Sequence, residues 1–303
     1  MTYNVIHIMY GVCGITGSQG GAVAQQLLNN NLQVVGLSRN PASDKARKFL
    51  EQGVIMKQGD FDQPQTLEGV FDDCKAVFVV TNFWEHMDPK REYIQAINII
   101  DSCMKSNVNH IIWSTLENTL EYSDNIPMIG NYKVPHFDEK ARVSNYLKQL
   151  NVQQTHLYTS FFNENLTGMM KLNPDNNNIR TLCLPMGDSK LPVVTVNDIG
   201  KVVVKIMLDN IVGDVGVASE HLTGYEIAQK LSEVLNSDVK YISVPADTYR
   251  NIGFPGCQDL ANMFEFKNIH NQIFCQNRNM NRVCSIITPI PFSVWCRENR
   301  HLL

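Results

Sequence analysis

The residues of this chain best placed to do chemistry form a glycine-rich run, Gly14-Ile15-Thr16-Gly17-Ser18-Gln19-Gly20-Gly21, spaced Gly-x-x-Gly-x-x-Gly. A strand-like apolar stretch precedes it and a helix-forming stretch follows it. In that setting one glycine permits a tight turn, one lets the backbone approach a pyrophosphate, and one lets the helix pack closely on a sheet. The helix start then offers unpaired N–H groups and the positive end of its dipole to the phosphates. The chemistry this spacing points to is dinucleotide binding by backbone.

The choice of dinucleotide is read about twenty residues further on, at the end of the next strand. NAD sites place Asp or Glu there to hold the ribose hydroxyls. This chain carries Ser38, Arg39, Asn40 and Pro41, with no carboxylate among them. A guanidinium pairs with a 2′-phosphate through its planar fork, and Ser38 can donate to the same group. The expected cofactor is therefore NADP(H). Two later strand ends add polar groups on the same side. Asp60 and Phe61 follow the third strand, with Asp60 in reach of the adenine amino group. Thr81, Asn82 and Phe83 follow the fourth and line the dinucleotide path.

These residues need a scaffold that brings strand ends together, and the periodicity supplies one. Strand-like runs at Val5–Cys13, Gln33–Leu37, Val54–Lys57, Ala76–Val80, His110–Trp113 and Gln154–Tyr158 alternate with helical patterns. The helices are expected at Gly21–Leu28, Ser43–Glu51, Gln65–Phe71 and Pro89–Ser106, with a further helix closing over Val143–Leu150. Such alternation predicts a parallel sheet with helices on both faces, and the continuously apolar Ala76–Val80 suits burial on both sides. After about Asn163 the rhythm loosens into helices from Asn197 to Leu208 and from Thr223 to Leu235, with a strand at Val239–Val244. The reading is α/β: a Rossmann-type doubly wound parallel sheet over residues 1–162, and a smaller C-terminal α+β lobe over 163–303.

Composition bounds the rest. With 303 residues, 44% hydrophobic and 18% charged, the chain can bury a sizeable core. A net charge of −4 and the lack of a basic stripe argue against a nucleic-acid partner. The local run of Arg278, Arg282, Arg297 and Arg300 reads as a solvated face. Eight scattered cysteines without a Cys-x-x-Cys pair point to reduced, mostly buried thiols and no metal site. No segment is apolar enough to span a bilayer, and the N-terminal apolar stretch lacks a basic leader, so no membrane association is expected.

Over nearly its whole length the chain resembles the NmrA-like family, a branch of the atypical short-chain dehydrogenase/reductases. The resemblance rests on Gly14–Gly21, Ser38–Pro41, Gln58–Asp60, Val80–Glu85, Ser114–Asn118, Val134–Lys140, Phe161–Asn165 and Gly253–Gly256. The stretch Asp259–Phe264 is similar to the animal redox-sensor members. The resemblance implies a phosphate loop at Gly14–Gln19, a 2′-phosphate clamp at Arg39, an adenine contact at Asp60 and a nicotinamide-side strand end at Thr81–Phe83. It implies a site lysine at Lys140 and a backbone segment near the nicotinamide at Tyr158, Thr159, Ser160 and Phe161. A second basic contact falls near Ile94, a departure from the pattern, with Lys90 one turn earlier. It also implies a cytoplasmic protein able to enter the nucleus. Such a protein senses the NADPH/NADP balance, acts through protein partners, and changes conformation or oligomeric state, a homodimer included.

Reductases of the wider superfamily use Tyr-x-x-x-Lys on one helix, where i,i+4 spacing puts both side chains on one face. Here the positions read His136-x-x-x-Lys140. The lysine remains and the tyrosine is absent, so His136 and Ser114 are weak catalytic candidates and a non-enzymatic role is expected. An NADPH-dependent reductase of a quinone or carbonyl substrate is the alternative. Trp113 and Trp84 are expected in the core or a pocket wall. The segments after Arg39 and around Asn118–Pro135 are expected to order on the cofactor.

Overall fold

The structure is a computed structural model, and it describes residues 8–303. Residues 5–7 of the expected first strand lie outside the described residues. The described strands are β1 (Met9–Val12), β2 (Gln33–Ser38), β3 (Ile55–Gln58), β4 (Cys74–Val79), β5 (His110–Thr115), β6 (Gln153–Tyr158), β7 (Phe161–Phe162), β8 (Arg180–Leu184), β9 (Leu191–Val194), β10 (Gly213–Gly216), β11 (Glu220–Leu222) and β12 (Val239–Ser243). The described helices are α1 (Ser18–Asn29), α2 (Asp44–Glu51), α3 (Pro89–Lys105), α4 (Pro135–Leu147), α5 (Val196–Asp209), α6 (Gly224–Leu235), α7 (Ala246–Arg250), α8 (Cys257–Ile269), α9 (Asn271–Asn277), α10 (Met280–Ile286) and α11 (Phe292–Glu298).

A seven-stranded sheet runs in the order β10-β6-β5-β4-β1-β2-β3. β1 pairs in parallel with β2 and β4, β2 with β3, and β4 with β5. Read from β3 to β6 this is the 3-2-1-4-5-6 order of the doubly wound fold. The chain reverses its winding between β1 and β4, and the crevice beyond their carboxyl ends is where such sheets hold ligands. The strands suit this position. All of β5 is buried, and so is β4 apart from Lys75, as expected for strands covered on both faces. Trp113, Phe71, Val77, Ile99, Ile111 and Val143 belong to the core on which α3 and α4 pack.

Local chemistry sets the helix starts. Asp88 accepts from the N–H groups of Lys90 and Arg91 and Pro89 fills the first turn, so α3 begins there. Thr223 and Glu226 close a reciprocal capping box on α6.

One expectation is corrected. The helix expected at Gln65–Phe71 is a short 3₁₀ turn, Pro64–Leu67, because the chain turns extended at Glu68 (φ −65°, ψ 127°). The helix expected to close over Val143–Leu150 begins at Pro135, a favourable first-turn residue, and ends at Leu147. β10, a short Gly-Asp-Val-Gly segment, joins the main sheet although its composition carries little strand signal.

The described chain divides into two compact units. The first holds the residues up to Thr115, Glu139–Leu157 and Ile199–Asp214, and the second holds Leu116–Asp138, Tyr158–Asp198 and Val215–Leu303. The chain passes between them repeatedly. The reason lies in burial: Val143 and Leu147 on α4 enter the sheet core, and α5 buries Ile199, Val202, Val203 and Ile206. The second unit carries a three-stranded sheet, β11-β9-β7, a parallel pair, β12-β8, and the C-terminal helices. No helix among the described residues is long and apolar enough to cross a membrane.

Candidate functional site

The glycine run leaves β1 and enters α1 within the first unit. Gly14 sits at φ +60°, a conformation L side chains rarely adopt. A Cβ on Gly20 would fall 2.3 Å from the Gly14 carbonyl oxygen and 2.5 Å from that of Cys13, so only glycine lets α1 start this close to the strand end. The loop is closed by Gly17 N–H donating to Gly14 O (2.8 Å) and Gly21 N–H donating to Gly17 O (2.9 Å). Ile15 is buried beneath it, whereas Gly17 and Ser18 are exposed. Helix α1 has Gly17 as N-cap, no side-chain cap and no acidic residue in its first turn. Its first N–H groups therefore stand at a positive dipole end with no side-chain cap and no acidic residue in the first turn. That cradle fits the phosphates of a dinucleotide. Ser114, at the end of β5, donates to the Gln19 side chain (2.8 Å), which makes it a support of the loop.

The next strand ends lie on the same side of the sheet. After β2, Ser38 Oγ accepts from Asn40 N–H (3.2 Å) and Asn40 Oδ1 accepts from Ala42 N–H (3.0 Å), a tight turn that continues through Pro41 into α2. Arg39 projects from this turn with its side chain 61% exposed, and its Nη1 meets Glu85 Oε1 at 2.5 Å. After β3, Asp60 Oδ1 accepts from Asp62 N–H (3.0 Å), and the Phe61 carbonyl accepts from Asn98 (2.8 Å). Asp62 is held by both Arg91 Nε (3.1 Å) and Nη2 (2.6 Å), and the Arg91 hydrogen bond is the main pull lowering its carboxyl pKa. After β4, Asn82 is exposed and opens a 3₁₀ turn, Phe83–Glu85, whose Phe83 is buried.

Behind these groups lies a buried polar knot. Lys140 Nζ donates to Thr81 Oγ1 (2.9 Å) and to Glu92 Oε1 (2.7 Å), and Thr81 Oγ1 donates to the same Glu92 oxygen (2.7 Å). Glu92 is fully buried, and its second oxygen has no partner among the described residues. The ammonium also lies 5.1 Å from the centre of the fully buried Trp113 ring. The structure thus joins the expected Lys140 to the expected Thr81 through Glu92, a residue sequence reasoning missed. Ile94 is an exposed apolar residue on α3, so the expected basic contact is absent there.

The other expected residues belong to the second unit. His136 is buried, its Nδ1 lies 2.5 Å from Asp259 Oδ1, and its backbone N–H donates to Asp259 Oδ2 (3.3 Å). Asp259 therefore orients the imidazole and holds the start of α4. Tyr158 O accepts from Val217 N–H (3.0 Å) and Ser160 Oγ donates to Val217 O (2.6 Å). Phe161 pairs with Val193 on β9. The Thr159 carbonyl accepts from Arg278 Nε (2.9 Å) and Nη2 (2.7 Å).

Arg278 corrects the expected solvated basic face. It is fully buried, bonded to Glu117 by Nη1 (2.5 Å) and Nη2 (3.1 Å), and stacked 3.6 Å from the centre of Phe274. Arg282, Arg297 and Arg300 are exposed. The segment expected to order around Asn118–Pro135 is already tied: Asp138 accepts from the N–H groups of Thr119 (2.7 Å), Lys133 (3.0 Å) and Val134 (3.0 Å). Cys13, Cys74, Cys103, Cys257 and Cys296 are buried free thiols, and burial pushes those of Cys74 and Cys296 up to about 12.

The model of the NmrA-like family matches residues 10–284. An NmrA-like family domain-containing protein of Dictyostelium discoideum is 28% identical over 245 residues, covering 76% of this chain and 78% of that one. An NmrA-like family domain-containing oxidoreductase of Aspergillus flavus is 27% identical over 272 residues, covering 83% and 81%. Among solved structures, NmrA, a negative transcriptional regulator in complex with NAD, superposes with a TM-score of 0.81 at 17% identity, over 96% of this chain and 94% of that one. A Citrobacter sp. triphenylmethane reductase complexed with NADP(H) gives 0.76 at 18% identity, over 97% and 100%. The low identities make these two a likeness of fold. The family match spans the glycine loop, the strand ends and the Lys140 knot alike, and the chain belongs to the NmrA-like family.

Proposed function

We propose that this protein is an NADP(H)-binding regulatory protein, one that reports the redox state of the cofactor to protein partners without turning over a substrate. The observation that carries the cofactor reading is Arg39: an exposed guanidinium at the end of β2, beside an uncapped helix start, with no carboxylate on its own turn. Gly14–Gly20 would hold the pyrophosphate, Arg39 with Ser38 the 2′-phosphate, and Asp60 the adenine edge. Asn40, Pro41 and Phe61 would shape the adenosine side. Thr81, Asn82, Phe83 and Lys140 would line the path toward the nicotinamide. The bound cofactor supplies a hydride-carrying ring whose oxidation state is the signal. Solved structures of like fold in complex with NAD, NADP or NADP(H) support the cofactor class.

The regulatory half rests on His136. At the superfamily's tyrosine position stands an imidazole, without the phenol that the superfamily's reductases use. A ligand can shift a conformational equilibrium only through different contacts in its two states. The turn around Arg39, which is exposed and bears on the 2′-phosphate, is the segment to watch.

Calorimetric titration with NADP⁺, NADPH, NAD⁺ and NADH tests the cofactor reading. Arg39→Ala is expected to weaken NADP(H) by about 1.5–3 kcal/mol, the range for a hydrogen bond to a charged group, with a much smaller effect on NAD(H). Equal loss for both nucleotides would refute the clamp. One observation favours a second reading, a reductase of a quinone or carbonyl: an aspartate-oriented imidazole is a usable proton donor. Rapid NADPH oxidation with a quinone or aldehyde, lost in both His136→Ala and Lys140→Ala, would establish that reading and remove the regulatory one.

A further inference from the structure

The Arg39–Glu85 pair connects two different strand ends. Arg39 follows β2 and Glu85 lies in the turn after β4. In the sheet order β4-β1-β2 those strands flank β1. The pair therefore spans the carboxyl end of β1, the point from which the glycine loop rises. Both backbones are anchored. The Arg39 carbonyl accepts from Gln58 Nε2 (3.3 Å), and Glu85 N–H donates to Asn82 O (3.2 Å) in a turn pinned by buried Phe83. Both side chains stay substantially exposed, 61% and 42%, so an incoming anion can reach them. Arg91, the neighbouring arginine, is held by Asp62 through two nitrogens.

We infer that Glu85 is the selectivity residue of the cofactor site: its carboxylate, paired with Arg39 through Oε1, competes with the 2′-phosphate of NADP(H) for that guanidinium and offers its other oxygen as acceptor to the free 2′-hydroxyl of NAD(H). The inference rests on the cofactor reading above. A phosphate monoester brings about 1.5–2 negative charges to a guanidinium that already holds a carboxylate. The carboxylate must yield or share, and either course weakens NADP(H) binding. NAD(H) carries no such charge. Its ribose hydroxyls want an acidic acceptor, the group absent from the end of β2, and Glu85 brings one from the next strand but one. The chain is thereby built to take NADP(H) by a moderate margin and still accept NAD(H).

Glu85→Gln keeps the shape and removes the charge. In titrations of the full-length protein at low salt, it is expected to bind NADP⁺ roughly 3–10-fold more tightly and NAD⁺ several-fold more weakly than wild type, at the upper end of or beyond the range of an exposed ion pair. The gain for NADP⁺ should shrink at high ionic strength, because exposed charges are screened. If wild type binds NADP⁺ and Glu85→Gln leaves the NADP⁺/NAD⁺ ratio unchanged, or shifts both nucleotides alike, the inference is overturned and the cofactor reading stands. If wild type takes up neither nucleotide, both fall.

Discussion

The glycine loop of the first unit and the Arg278 cluster of the second are built from the same materials, backbone polar groups and charge, and dispose of them in opposite ways. In the loop, the first N–H groups of α1 have no cap and no acidic neighbour, and Arg39 meets Glu85 in the open. The Arg278 charge is buried and answered: Glu117 takes two of its nitrogens, Thr159 O accepts from two, and Phe274 covers the face of the guanidinium. A polar group left unsatisfied at a surface is available to a ligand, whereas one satisfied in the interior specifies the fold. A guanidinium by itself does not announce a binding site. Its exposure and the state of its partners do.

The comparison can be broken most decisively at Glu117. Glu117→Ala strands a buried guanidinium, and should cost about 3–5 kcal/mol in denaturant unfolding, as for other buried pairs with one partner removed. A loss below about 1 kcal/mol would mean that the cluster is not structural. Gly20→Ala probes the other region. Its new methyl group meets two backbone carbonyls, so the loop must shift at a cost of about 1–3 kcal/mol. NADP⁺ binding should fall far more than stability does, and retained affinity would refute the cradle.

The smallest effect is expected from Lys267, which sharpens the contrast by its pH dependence. Burial, helped by Arg278, pushes its pKa down to about 7, and its Nζ lies 5.3–5.6 Å from the centres of Phe137, Phe264 and Phe274. An unfolded lysine titrates near 10.4. Between about pH 7 and pH 10 the unfolded state binds more protons, so this residue makes stability rise with pH across that window. Below about pH 7 the cost of burying its charge is fully present. Lys267→Met should be more stable than wild type at neutral pH. The difference should close by up to about 1.4 kcal/mol per pH unit as the pH is raised, read from urea unfolding at pH 7, 8 and 9. A constant difference would show that the amine is charged throughout.

Much of the first unit was legible in advance because its signals are local. The glycine spacing, the apolar strands from β1 to β6 and the polar caps depend on residues within a turn or two of each other. The doubly wound sheet follows from their alternation, and Arg39 was singled out by what its own turn lacks. Glu85 and Asp259 lay inside motifs that carried the family resemblance, yet nothing in those motifs assigned them a partner. Glu92 gave no signal at all, since a glutamate near a helix start reads as a solvated charge until the fold closes over it.

The amino-acid sequence by itself determined the loop, the strand–helix rhythm and the family, because each rests on short-range pattern. Only the tertiary structure decided which charges are spent on the interior and which remain open. Arg278 finds Glu117 across 161 positions of chain, and Arg39 finds Glu85 across 46. Whether a charged side chain is buried and answered depends on such distant meetings, which no periodicity records.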